Sequence, residues 1–332
     1  MEEKRKRLFS GIQPSGCITL GNYLGAIKNW VALQDEFDCL FSVVDLHCIT
    51  VRQDPKEFKS RSLDFFAMLL AAGIDPKEHI LFFQSHVSCH AEMAWLLNCY
   101  TYIGELQRMT QFKDKSAKHA DNINAGLMTY PVLMASDILL YQADAVPVGA
   151  DQKQHLELTR DIAVRFNHAY GDTFKIPEPI IPKVGARIMS LQDPTSKMSK
   201  SDPNPKACIS ILDSPDTILK KFKSAVTDSE AEIAYREGKD GINNLLSIYS
   251  AVTGTSIEDA VNMFAGQGYG TFKVSVAEAV IEMLRPLQEK YAEIKNDKAY
   301  IESVYKEGAE RAGRLAARTL TKTMKKIGFM IP

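Results

Sequence analysis

Cys39-Leu-Phe-Ser-Val-Val-Asp-Leu46 is a short, almost unbroken apolar run rich in Val and Phe. A run of that length and composition predicts a strand buried on both faces, which is the state of a parallel sheet covered by helices. Leu8 to Ile12 reads the same way, and Ile80 to Gln84 and Ala145 to Gly149 are shorter strand candidates. Helical periodicity separates them at Gly21 to Glu36, Pro55 to Ala72 and Asp151 to Asn167, with Asp54-Pro55 as a start signal and Gly73 as a stop. The alternation predicts a doubly wound α/β fold.

Further along, Pro177 to Pro205 holds six prolines and little periodicity, and reads as a long loop that still carries Ile180, Ile181, Val184 and Ile188. Past residue 206 strand signals fade. Ser214 to Val226, Asn243 to Val252, Ser256 to Phe264, Phe272 to Glu293 and Asp297 to Lys326 are helix-like, so a helical C-terminal domain follows. The last of these carries a basic stripe, Arg311, Arg314, Arg318, Lys322 and Lys325, which fits either a solvated face or contact with nucleic-acid phosphates.

Bulk properties narrow the class. The 332 residues suffice for two domains, and a net charge of −1 means that a nucleic-acid partner must meet a local basic surface. The longest apolar stretch, Leu63 to Ile74, is interrupted by Asp64 and too short to span a bilayer. The N-terminal residues lack the apolar run of a secretory signal, and the six cysteines are scattered without a CxxC pair. Idle thiols in a cytoplasmic protein are the expectation. His86, His90 and Glu92 lie near one another in sequence, but their spacing crosses a loop boundary, and no protein metal site is expected.

Two segments carry chemistry. Gly11-Ile-Gln-Pro-Ser-Gly16 followed by Thr19-Leu-Gly-Asn22 is a glycine-containing loop between strand and helix, a setting in which backbone N–H groups approach a phosphate. No Lys-Ser/Thr follows Gly16 and the spacing is not GxGxxG, so neither a P-loop nor a dinucleotide fingerprint is present. The second is Lys197-Met-Ser-Lys-Ser201 in a proline-flanked loop, where two ammonium groups suit a polyphosphate whose charge shifts during reaction. A third signal is Asp137, set in the apolar helix Leu133-Met-Ala-Ser-Asp-Ile-Leu-Leu-Tyr141: it is either a surface residue or a buried carboxylate with a purpose.

Pro14-Ser-Gly-Cys-Ile-Thr-Leu-Gly-Asn22 with the downstream lysine loop resembles the paired signatures of class I aminoacyl-tRNA synthetases. Thr19 and Asn22 stand where the first signature usually has histidines, which is the form of the bacterial tryptophan enzymes. Gly104 to Lys113, Ala125 to Tyr141, Val146 to Asp161, the Asp228 segment and Gly268-Tyr-Gly270 extend the likeness nearly end to end.

The resemblance implies a Rossmann-like catalytic domain over 1–206, an anticodon-binding helical unit over 207–295 and a terminal helix over 296–332 that packs back. It implies that tryptophan is activated with ATP and passed to tRNA(Trp) in a homodimer, with Mg²⁺ held on the ATP phosphates. A tyrosine ligase or a noncatalytic nucleotide-binding paralogue are the alternatives. By the same resemblance Asp137 accepts the indole N–H, Tyr130 and Gln152 hold the substrate ammonium, and Phe9, Met134, Val146 and Val148 wall the ring. His47, which follows the end of a strand where open α/β sheets place ligands, is read into the same pocket as a structural or hydrogen-bonding group, with a general base as the alternative. Gln13, Pro14, Ser15, Gly21 and Asn22 bound the nucleotide, Gly149, Ala150 and Asp151 line its ribose, and Ile188 meets adenine. Lys115, Lys197 and Lys200, with Thr19 and Asn22, serve catalysis, and Met198, Ser199 and Ser201 complete the loop.

Overall fold

The computed structural model describes residues 5–14, 16–118, 123–149, 152–180, 188–199 and 202–331. Five parallel strands, β1 (Arg7–Ile12), β2 (Asp38–Val43), β3 (Ile80–Phe83), β4 (Ala145–Pro147) and β5 (Glu178–Ile180), form one sheet in the order β3-β2-β1-β4-β5. The doubly wound expectation holds. β2 ends at Val43 rather than running to Leu46, because the chain turns there into a short helix whose Leu46 N–H donates to the Gln84 side chain. β5 falls inside the segment read as loop; its three residues include Pro179 and give too short a pattern to recognise.

The helices are α1 (Leu20–Asn22), α2 (Lys28–Leu33), α3 (Asp45–Cys48), α4 (Pro55–Ala71), α5 (Cys89–Asn98), α6 (Ile103–Gln107), α7 (Thr110–Lys118), α8 (Ala125–Leu139) and α9 (Lys153–Tyr170). Then come α10 (Pro215–Lys223), α11 (Asp240–Thr253), α12 (Ile257–Phe264), α13 (Tyr269–Asn296) and α14 (Lys298–Ile327). Tyr23–Ile27 is a π-helical turn between α1 and α2. Asp54 caps α4 by accepting from the Lys56 and Glu57 N–H groups at 3.0 Å, and Gly73 ends it at φ +109°, a conformation that suits glycine.

Alternation along the strands splits the core in two. Leu8, Cys39, Phe41, Val43, Leu81 and Phe83 point to one face, where α4 packs and where the helices from α10 to α13 join the same apolar cluster. Phe9, Leu40, Ile80 and Phe82 point to the other, against α5, α8, α9 and the end of α14. Each fully buried Phe or Leu contributes roughly 1.5–3 kcal/mol. The helical C-terminal part therefore shares its core with the sheet.

α14 lies along the edge strand β3, close enough that a β-carbon on Gly308 would overlap the Leu81 carbonyl. Two members of the basic stripe serve this docking: Arg311 donates to the Pro76 carbonyl (2.7 Å) and Lys322 to the Thr173 carbonyl (3.1 Å). Arg314, Arg318 and Lys325 remain exposed. No helix among the described residues is long and apolar enough to cross a membrane.

Gly308→Ala is expected to cost about 2 kcal/mol through overpacking at this seam. Gly313→Ala, on the same helix with open space around it, should be neutral or stabilising by about 0.5–1 kcal/mol. Urea unfolding of the two variants beside the parent checks the pair; equal midpoints would remove the close approach.

Candidate active site

The chain leaves β1 for β2 and β3 on one side and returns to β4 on the other, so the strand order reverses between β1 and β4. Crevices open beyond the carboxyl ends of strands at such a switch point. Here a cavity of about 710 Å³ is bounded by Phe9 to Gln13, at the end of β1, and by Val146, Pro147 and Val148, at the end of β4. Its walls gather much of what sequence reasoning scattered over 190 positions (from residue 9 to residue 199): Phe9, Gln13, Asn22, His47, Tyr130, Met134, Asp137, Val146, Val148, Gln152 and Ser199. Gly11 lets the chain pass here, since a β-carbon would come within 2.7 Å of a Val44 methyl.

Asp137 is 1% exposed and bounds the cavity. Its Oδ1 accepts from the Gln84 amide and from His90 Nδ1, each at 2.6 Å, and its Oδ2 from His47 Nε2 at 2.8 Å. Burial alone pushes this carboxyl up; the hydrogen bonds and charge of His47 and His90 outweigh it and hold the group below its ordinary value. An ionised carboxylate only accepts, so His90 presents Nδ1–H to it, and its Nε2 lies 2.7 Å from the Tyr141 hydroxyl. Burial and the nearby Asp137 charge push the Tyr141 phenol well above its ordinary value, which keeps its proton in place. A carboxylate has about four lone-pair positions. Three are filled by the protein, which leaves one acceptor position on a carboxylate that bounds the cavity. Around it stand Phe9, Met134, Ile138, Val146 and Val148, none of which has a polar side-chain atom.

Sequence reading does not reach Gln84, His90 and Tyr141 as site residues, and His90 lies near His86 and Glu92 along the chain. The three take separate partners: His90 turns inward to Asp137, Glu92 accepts from Ser88, and His86 packs its ring on Phe83 and Tyr305. The available signal was a polar residue ending an apolar strand, Gln84, opposite a charged residue in an apolar helix. Tyr130 also has a support that sequence missed, its hydroxyl lying 2.8 Å from Nε2 of the buried His155.

The nucleotide motifs come together at Gly21. A β-carbon there would sit 3.5 Å from that of Ile188 and 3.7 Å from that of Met198, so the first signature and the lysine loop touch. Thr19 is buried and forms a capping box with Asn22, its side chain accepting from the Asn22 N–H at 3.2 Å. The Leu20 N–H donates to the Ile209 carbonyl at 2.8 Å, which fastens this turn to the chain beyond the loop. Pro14 is buried with its carbonyl held by Arg61. Gly149 is exposed and accepts from the Gln152 N–H, and Lys197 is exposed outside the cavity wall. Ser15, Ala150, Asp151, Lys200 and Ser201, and the side chain of Lys115, lie outside the described residues. In the Asp228 segment, burial pushes the carboxyl up, but Tyr269, the Glu230 N–H and Lys239 bring it down to about 2. No group of three His, Cys, Asp or Glu with metal-binding geometry is found among the described residues.

The family model described as tRNA synthetases class I (W and Y) matches residues 1–285. A tryptophan–tRNA ligase of Clostridium tetani is 56% identical over 331 residues, covering 100% of this chain and 98% of that protein. One of Wolinella succinogenes is 56% identical over 326 residues, covering 98% and 99%. Among solved structures, the tryptophanyl-tRNA synthetase of Mycoplasma pneumoniae superposes with a TM-score of 0.88 at 37% identity, covering 98% of each chain. That of Campylobacter jejuni complexed with ADP and tryptophan gives 0.83 at 35% identity, covering 97% of this chain and 100% of the other.

His90→Ala removes one donor from a buried carboxylate and should cost roughly 2–3 kcal/mol near neutral pH. Because Asp137 is held below its unfolded value, the stability it contributes is present above the ordinary carboxylate range and lost as pH falls through its lowered value. The gap between parent and variant in urea midpoint should therefore hold down to about pH 4 and narrow as the pH is taken lower. A gap independent of pH would detach His90 from Asp137.

Proposed function

Because the chain belongs to the class I tRNA synthetases of the tryptophan and tyrosine group, we propose that it is a tryptophan–tRNA ligase, joining L-tryptophan to ATP and then to tRNA(Trp). The observation that carries the substrate assignment is the single acceptor position left on Asp137 among apolar walls. An indole N–H donates once and accepts nothing, which matches it. A tyrosine phenol could donate as well, but its oxygen lone pairs would face the apolar side chains of Phe9, Met134, Ile138, Val146 and Val148, which offer no donor. An unmatched buried acceptor costs about 1–3 kcal/mol, and phenylalanine would leave the carboxylate itself unmet. Such a site discriminates without a second editing step.

In the first half-reaction the tryptophan carboxylate oxygen attacks the α-phosphorus of ATP in line. The bond to the β-phosphate oxygen breaks, giving tryptophanyl-adenylate and pyrophosphate with no protein nucleophile. Tyr130, oriented by His155, and Gln152 hold the ammonium. Phe9, Met134, Val146 and Val148 fix the ring, and His47 holds Asp137 in place. Gln13, Pro14, Ser15, Gly21 and Asn22 bound the triphosphate, Gly149, Ala150 and Asp151 the ribose, and the Ile188 backbone the adenine. Lys115, Lys197 and Lys200 offset the charge that moves onto pyrophosphate. Thr19 acts through the turn it caps, and Met198, Ser199 and Ser201 shape the loop. Mg²⁺ would sit on the phosphate oxygens and stabilise the same charge.

The catalytic part is 1–206, the helical 207–295 reads the anticodon stem-loop, and 296–332 braces the sheet. The exposed Arg314, Arg318 and Lys325 offer phosphate contacts. The enzyme works in the cytoplasm as a homodimer. The dimer is supported by an apolar groove between α3, α5 and α8 in which Ile49 and Trp95 are 63% and 70% exposed. Trp95→Asp should then sediment as a monomer, and an unchanged dimer would move the contact elsewhere.

Pyrophosphate exchange into ATP should depend on tryptophan and be near background with tyrosine or phenylalanine. Exchange driven by tyrosine alone would overturn the substrate, and none with any amino acid would favour a noncatalytic paralogue. Asp137→Ala should lower the tryptophan-over-phenylalanine ratio by at least about tenfold with the KM for ATP little changed.

A further inference from the structure

The lysine loop rises from a two-stranded stem. The Met198 N–H donates to the Ile188 carbonyl (3.0 Å) and the Ser190 N–H to the Ser196 carbonyl (2.8 Å), which brackets the antiparallel bridge between Met189 and Lys197. In such a bridge the N–H and C=O of Met189 itself point away from the partner strand. Both are taken by one side chain: the Met189 N–H donates to Asn244 Oδ1 at 2.9 Å, and Asn244 Nδ2 donates back to the Met189 carbonyl at 3.0 Å. Asn244 is 5% exposed on α11, in the helical part of the chain. A buried amide inside a helix is costly unless both ends are paired. Asn244 meets that condition by acting as a third strand to the stem. Beside it Gly241 accommodates the Val226 carbonyl, where a β-carbon would overlap, and the Val226 N–H donates to the Leu191 carbonyl at 2.8 Å. The start of α11 is therefore the floor of the stem.

We propose that Asn244 is a positioning residue for adenylate formation, setting the Ile188–Ser190 strand and, through it, the height of Lys197 over the nucleotide. The proposal rests on the reading of the loop as a pyrophosphate clasp. Ile188 and Met198 pack on Gly21 of the first signature, so a tilt of the stem changes both the adenine wall and the approach of the lysines while leaving the Asp137 floor alone. The helical part thereby acquires a direct hold on the chemistry of the α/β part through one amide group.

The molecule supplies a matched control. Asn243, one residue earlier on α11, makes the same two-way bond to a different backbone site: the Arg236 N–H donates to its Oδ1 at 3.1 Å, and its Nδ2 donates to the Arg236 carbonyl at 2.7 Å. Asn244→Ala should lower kcat for tryptophan-dependent exchange about tenfold and raise the KM for ATP about threefold, with tryptophan affinity within about twofold of the parent. Tryptic cleavage after Lys197 or Lys200 should quicken about fivefold in the native protein. Asn243→Ala should lower thermal stability comparably and leave these kinetic and cleavage values near the parent's. Asn244→Asp, which keeps shape and acceptor but loses the donor, should move the same quantities in the same direction and serves if the alanine variant does not fold. Equal behaviour of the Asn244 and Asn243 variants in both exchange and proteolysis would overturn the proposal. A parent without exchange activity would count against the functional reading alone, since faster cleavage confined to the Asn244 variants would still uphold the clamp.

Discussion

Four elements meet on one carboxylate. Asp137 of α8 is approached by His47 from α3, by Gln84 from the end of β3 and by His90 from α5, with Tyr141 behind His90. A buried charge of this kind is tolerated only when its donors are numerous and well placed, and removal of any one leaves an unpaired group in a dry interior. The bundle of α5 and α8 against the sheet is thus tied by polar geometry as well as by apolar area. The same carboxylate that ties these elements together also bounds the cavity.

The cavity also depends on how strands and helices divide the sheet. Since β1 is flanked by β2 and β4, its carboxyl end opens between two sets of crossovers. The first-signature turn is fastened there by the Thr19–Asn22 box and by the Leu20–Ile209 bond, while Gly21 admits Ile188 and Met198 from the lysine loop. Two sequence-distant motifs thereby become one surface at Gly21. The continuous core from Leu8 to Leu287 then makes the helical part a structural base for the loop instead of a tethered appendage.

Much of the fold was legible in the sequence because it rests on local signals. Buried strands β1 and β2 announce themselves as apolar runs, and α4, α10 and α12 by their Asp54, Ser214 and Ser256 caps. β5 was not legible, since three residues containing a proline have no periodicity to read. The cavity residues were reached through family resemblance, and Asp137 alone stood out chemically. Its supports Gln84 and His90 lie 53 and 47 positions away, and an asparagine such as Asn244 looks like any helix-surface residue until its partner 55 positions off is known. Pairings of that range leave no trace in a single chain's local pattern.

The close seat of Gly308 on Leu81 has a bearing on how the protein is made. β3 is an edge strand synthesised early, whereas α14, which covers it, is synthesised late. Until α14 has cleared the ribosome, the growing polypeptide carries an uncovered β edge, the feature most apt to pair with another chain. Completion of the sheet's protection thus waits until α14 has been made, long after β3. Nascent chains of this enzyme should depend on holding chaperones for longer than the early appearance of β1 to β3 would suggest.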